Sequence, residues 1–141
     1  MDSRCRFYVS RSCYKNDIRL LGEVPHRDIW SLLEKSHIGI IPSLRTPRVI
    51  VDTPTKLFEY MASSCAVVAT DTPPVRYFAE DCSILVEPDD VNSLVDDILE
   101  IGTNKNKFLS YIEDGQKKIK NRYNWQKTEK KLLSLYEKIL K

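Results

Sequence analysis

Only four glycines occur in 141 residues, at positions 22, 39, 102 and 115, and their spacing cannot build a G-x-G-x-x-G phosphate loop. A dinucleotide-binding reading therefore lacks its central feature. Long apolar runs are missing too. Stretches such as Ile38 to Pro42 and Ala66 to Ala69 fall far short of the roughly 20 residues that span a bilayer. The opening Met1-Asp2-Ser3-Arg4-Cys5-Arg6 lacks the basic, apolar, then small-residue layout of a secretory signal, so a cytoplasmic chain is expected. Cys5, Cys13, Cys65 and Cys82 match no zinc spacing and read as reduced thiols. His26 and His37 have no H-x-x-x-H partner, and no metal centre is expected.

What is present fits one soluble domain with a real core: 42% of residues are hydrophobic and 30% charged. The net charge of +2 conceals an asymmetry. From Lys117 to Lys141 nine Lys/Arg face two Glu, a net +7, which leaves −5 for the remainder. This basic tail is either a solvated helix face or a candidate for phosphates and for peripheral contact with an anionic membrane surface. Nothing in it calls for a nucleic-acid partner.

Short β-branched runs alternate with helical patterns, the signature of βαβ units and a parallel sheet. Strands are predicted at Arg6 to Ser10, Ile18 to Leu21, His37 to Ile41, Ala66 to Thr70 and Ser83 to Val86. The middle ones read as buried, because parallel strands covered on both faces show continuous apolar runs. A helix carrying Ile29, Trp30 and Leu33 follows Pro25. Val91, Leu94, Val95, Ile98 and Leu99 recur with helical period behind a cap at Asp89 or Asp90. The pattern stays helical from Gly102 to Tyr123, and a last helix is expected from 126 to 140. The division is an irregular segment 1–17, an α/β domain 18–122 and a carboxyl-terminal amphipathic segment 123–141.

The segment Asp52-Thr53-Pro54-Thr55-Lys56-Leu57-Phe58-Glu59-Tyr60-Met61-Ala62 carries the chemistry. Asp52 or Thr53 suits an N-cap, and Pro54 suits the first helical position, where its missing N–H costs nothing. The free N–H groups of Thr55 and Lys56, with the positive end of the helix dipole, then form an anion site. Leu57, Phe58, Met61 and Ala62 make an apolar face, and Lys56, Glu59 and Ser63 lie opposite it. Lys56 and Glu59 can grip a nucleotide diphosphate, Glu59 accepting from two ribose hydroxyls. On spacing alone they can equally be an i, i+3 surface pair.

The run P-T-K-L-F-E-Y-M-A, followed by V-V-A-T-D and I-L-V-E-P-D-D and preceded by I-G-I-I-P-S, resembles the nucleotide-sugar domain of family 4 glycosyltransferases. L-G-E-V at 21–24 and Tyr123-Asn124-Trp125 add to the likeness, which spans Ile18 to Leu140. The resemblance implies the carboxyl-terminal half of a GT-B fold: a Rossmann-like parallel sheet flanked by helices, with a helical tail. It further implies retaining transfer from a nucleotide diphosphate sugar to a glycan or lipid-linked acceptor.

By position, Glu59 is the family's ribose-holding glutamate. Asp52, Thr53, Pro54 and Thr55 map to the loop that meets the diphosphate and sugar, while Gly22, Glu23 and Val24 lie where the base would sit. Ser43 and Pro42 end a strand at the ligand edge of the sheet. The family's first glutamate, eight positions before Glu59, falls where this chain has Val51, and Asp52 beside it is the candidate for that role. The family's upstream basic pair is absent, with Arg45 and Arg48 as candidate replacements. Ser64 stands in a turn where the family places glycine, at a cost of about 1 kcal/mol if a left-handed backbone is kept. The expectation is thus an amino-terminally truncated donor half, inactive alone: an excised domain, a truncated reading frame, or one part of a two-chain enzyme completed by an acceptor-domain chain. The alternative is a non-catalytic binding or regulatory subunit that has lost the first glutamate.

Overall fold

The structure, a computed structural model, describes residues 3–140. In chain order the elements are α1 (Ser3–Arg11), α2 (His26–Leu33), β1 (Ile38–Ile41), α3 (Thr55–Ala62), β2 (Ala66–Thr70), α4 (Pro73–Ala79), β3 (Ser83–Val86), α5 (Val91–Thr103), α6 (Lys105–Asn121) and α7 (Trp125–Ile139). They fall into two units, one up to Leu32 and one from Leu33 onward.

In the second unit the β-branched run Ala66-Val67-Val68-Ala69-Thr70 is buried at every position. It is the central strand of a three-stranded sheet in the order β1-β2-β3. Both pairings are parallel, with Ile38 opposite Ala66 and Val67 opposite Ser83. Successive residues of β2 serve opposite faces. Val67 and Ala69 join Leu57, Met61, Val75 and Ala79 on one side. Ala66 and Val68 join Ile84, Val86 and Ile101 on the other. Helices thus cover both faces, which is why the strand reads as an unbroken apolar run. Helix α6 serves both clusters, giving Ile119 to the first and Phe108, Tyr111 and Ile112 to the second.

The crossovers follow their caps. Thr72 accepts from the Val75 N–H and is followed by proline, starting α4. Asp90 caps α5 through the Ser93 N–H. Asn104 and Asn124 do the same for α6 and α7. Helix α3 ends in a left-handed turn at Ser64, φ 61, where the Gln116 amide donates to the Ser64 hydroxyl at 2.6 Å. All four cysteines are free, Cys65 and Cys82 being buried. Burial pushes the Cys82 thiol up to about 11.

Two predicted strands are corrected. Arg6 to Ser10 lies inside helix α1, where the Arg11 guanidinium sits 4.2 Å from the centroid of the Phe7 ring. That i, i+4 cation–π contact suits a helix, and a short aromatic and β-branched run does not by itself decide between helix and strand. Ile18 to Leu21 joins no ladder, and Ile18, Leu20 and Leu21 are exposed. Among the described residues no helix is long and apolar enough to cross a membrane.

Candidate functional site

Because all three strands run the same way, their carboxyl ends share one edge of the sheet, and the loops that leave them gather there. The longest, residues 42–54, leaves β1 and enters α3. It turns once, with the Val51 and Asp52 N–H groups both donating to the Arg48 carbonyl at 3.2 and 3.0 Å. Arg48 also holds the Asp52 carboxylate at 3.4 Å, both side chains exposed. Beneath the loop opens a cleft of about 580 Å³. Its walls include Ser43, Arg48, Asp52, Thr53, Pro54, Thr55 and Lys56.

At the mouth of α3 the capping prediction is corrected. Pro54 is the N-cap, extended at φ −69 and ψ 119, and Thr55 opens the helix; no side chain caps it. Proline at 54 disfavours helical backbone in the residue before it, which leaves Thr53 outside the helix. The first turn closes from the Leu57 N–H to the Pro54 carbonyl at 3.0 Å. The N–H groups of Thr55 and Lys56 consequently have no carbonyl one turn earlier to bond, and both residues line the cleft. An uncapped helix start with its dipole meets the cleft, and Lys56 is among the residues that line it, an arrangement that favours an anion.

The apolar face of α3 also differs from the expected set. Leu57 and Met61 are buried and Phe58 is half-buried, but Ala62 is exposed. Tyr60 takes the remaining place, packed on the first core cluster and over Gly39 of β1, where any Cβ would overlap its ring. Burial, then the nearby Cys65 and Glu59, pushes the Tyr60 phenol up, so it stays protonated near neutrality. Ser63 does not present its hydroxyl beside Lys56 and Glu59: that oxygen is buried without a hydrogen-bond partner.

Nine of the expected donor contacts sit in this unit, and seven of them line the cleft. Arg45 instead lines an adjoining hollow of about 330 Å³ with Asp71, Thr72 and Pro88. Glu59 is half-buried, one turn further along α3, outside the set that lines the cleft. Gly22 and Val24 belong to the first unit, where Gly22 takes the left-handed φ of 78 ahead of α2.

Residues not anticipated stand at the end of β2. The Thr70 hydroxyl accepts the Ser43 N–H at 2.7 Å, the Asp71 N–H donates to the Val86 carbonyl at 2.7 Å, and Arg76 pairs with the Asp71 carboxylate. Thr72 followed by two prolines was a readable cap signal, whereas contacts across 27 positions leave no local trace.

The family model described as glycosyl transferases group 1 matches residues 5–104. Among curated proteins none matches the sequence. Two solved structures share the fold. Sucrose-phosphate synthase from Thermosynechococcus elongatus superposes with a TM-score of 0.84 at 19% identity, covering 97% of this chain and 34% of that one. The carboxyl-terminal domain of LpcC, a glycosyl transferase group 1 family protein from Francisella tularensis, superposes with a TM-score of 0.71 at 18% identity, covering 86% and 62%. The chain thus spans about a third of the length of the first and under two thirds of the second.

Proposed function

Since this chain belongs to the glycosyl transferases group 1 family and has the Rossmann-like carboxyl-terminal half of a GT-B fold, we propose that it binds the nucleotide diphosphate sugar of a retaining glycosyltransferase. The observation that carries this reading is the uncapped start of α3, whose first residues, Thr55 and Lys56, line the cleft at the end of β1. A diphosphate placed there meets the helix start and its dipole beside Lys56, with Arg48 also lining the cleft and Arg45 in the next hollow. These groups stabilise the charge that grows on the departing diphosphate. The reading calls for no metal, because helix N–H groups and cations do that work.

Glu59 holds the ribose hydroxyls. Asp52 serves the sugar end in place of the glutamate that Val51 replaces. The acceptor is a glycan or lipid-linked sugar held by an acceptor domain, since transfer needs both substrates enclosed together. The basic tail, in which Lys117 and Lys118 are already paired with carboxylates, offers that assembly peripheral contact with an anionic membrane surface through its remaining cations.

Isothermal titration of the folded chain with UDP, GDP and ADP tests this reading. Heat is expected with at least one, and Glu59→Ala should weaken it by about 1.5 to 3 kcal/mol, the range for hydrogen bonds to charged groups. A folded protein that binds none of the three refutes donor binding. One observation favours a second reading, a binding subunit without catalysis: Val51 is 78% exposed and offers no acid, and Asp52 is engaged by Arg48. Nucleotide binding together with an absence of sugar transfer after addition of an acceptor-domain chain would select it.

A further inference from the structure

The loop that forms the cleft is tied to the sheet at one point. Among the described residues, every other hydrogen bond of residues 43–53 closes within that segment: Val49 to Thr46, and Val51 and Asp52 to Arg48. The exception is the Ser43 N–H, which donates to Thr70 Oγ1 at 2.7 Å across 27 positions. β1 ends at Ile41, opposite Ala69, so this bond lies just past the last backbone pair. A side chain thereby continues the attachment of β1 to β2 by one further step.

Thr70 is well placed to act as a fixed post. It is buried, 8% exposed, at the end of the central strand. The next two residues are pinned independently, Asp71 by the Val86 carbonyl and by Arg76, and Thr72 by its cap on α4. Ser43 lines the same cleft as Thr55 and Lys56. Thr70 itself lines the two neighbouring hollows, about 100 and 330 Å³, and not the cleft. Its hydroxyl therefore acts on the cleft through Ser43.

We propose that Thr70 is a positioning residue for the donor site: its hydroxyl, by accepting the Ser43 N–H, sets the direction in which loop 42–54 leaves the sheet. This rests on the donor-binding reading of the cleft. Without the hydroxyl the half-buried Ser43 N–H loses its partner and the loop samples other exits.

The test compares Thr70→Val, which keeps the shape and deletes the acceptor, with Thr70→Ser, which restores it. Two measurements are made on the full chain: titration with UDP, GDP and ADP, and amide hydrogen exchange. Thr70→Val should bind about five- to tenfold more weakly, the size of one net hydrogen bond. Its Ser43 amide should exchange faster while those of Val67 and Val68 are unchanged, and Thr70→Ser should stay within about twofold of the parent on the same scale.

Should Thr70→Val fail to fold, Ser43→Pro removes the donor and should show the same loss. Undiminished affinity in a variant whose Ser43 tie is cut overturns the proposal, as does a Thr70→Ser as weak as Thr70→Val. If the parent binds no nucleotide, the donor reading fails, and Ser43 exchange still decides whether Thr70 holds the loop: an unchanged rate in Thr70→Val overturns that as well.

Discussion

Helices α3 and α7 have the same kind of pattern and different fates. Both place apolar residues at helical spacing, Leu57, Tyr60 and Met61 in one, Leu132, Leu133, Tyr136 and Ile139 in the other. In α3 the stripe lies against the sheet, with Leu57 fully buried and Met61 2% exposed. In α7 no residue is buried, and Trp125 and Ile139 are 70% and 68% exposed. The periodicity of a segment states which face it is able to bury. What covers that face depends on chain elsewhere.

Four expected outcomes break or sharpen this contrast. The largest concerns the stripes themselves. Leu57→Ala should cost about 2 to 5 kcal/mol in urea unfolding, the range for a truncated core leucine, while Leu133→Ala should stay within about 0.5 kcal/mol. A loss above about 2 kcal/mol at Leu133 would show that the α7 face is covered in solution.

Next in size is the floor beneath α3. Gly39→Ala puts a methyl group into the Tyr60 ring and should lower stability by about 1 to 3 kcal/mol, the cost of overpacking. The double change Gly39→Ala, Tyr60→Leu should recover part of it. Full stability in the single variant would mean that Tyr60 can leave its place and that α3 is less firmly seated than Leu57 implies.

The turn that ends α3 comes third. Ser64 holds φ 61 without being glycine, so Ser64→Gly should raise the melting free energy by up to about 1 kcal/mol. The gain shrinks by whatever the exposed Gln116 contact contributes. No gain at all would assign that contact the whole difference.

The smallest effect is a pH dependence. Hydrogen bonds from the Ser93 N–H and hydroxyl hold Asp90 below the ordinary carboxylate range. A carboxyl with a folded pKa below its unfolded one stabilises fully above the unfolded value, about 3.9. That contribution is lost as pH falls through the folded value. Asp90→Asn should therefore flatten the acid limb of the stability curve. Asn124, the neutral cap of α7, should contribute no such slope, and Asn124→Asp should introduce one.

How far the sequence foretold all this depends on the range of the forces involved. Strands β2 and β3 and helix α5 were readable because burial on both faces, or on one stripe, writes its period into consecutive residues. Arg6 to Ser10 was misread because five residues with an aromatic pair satisfy strand and helix equally; the Phe7–Arg11 contact that decides appears only in three dimensions. At the site, proline at 54 announced the helix start to within one residue. The exchange of Ala62 for Tyr60 on the buried face depends on Gly39, in another strand, and the anchoring of Ser43 depends on Thr70. Neither partner lies within a window in which spacing carries information.

The parallel sheet has a bearing on how such a chain can vary. Every strand delivers its loop to the same edge, and Val67, Val68 and Ala69 of the central strand take no part in lining the cleft. Replacements in residues 43–53 can then alter what is recognised while leaving the interior untouched, and interior drift can proceed behind a constant recognition edge. Thr70 is one place where these two freedoms meet, since it belongs to the buried strand and accepts a hydrogen bond from the loop. A lineage that retunes the loop remains answerable to that one side chain.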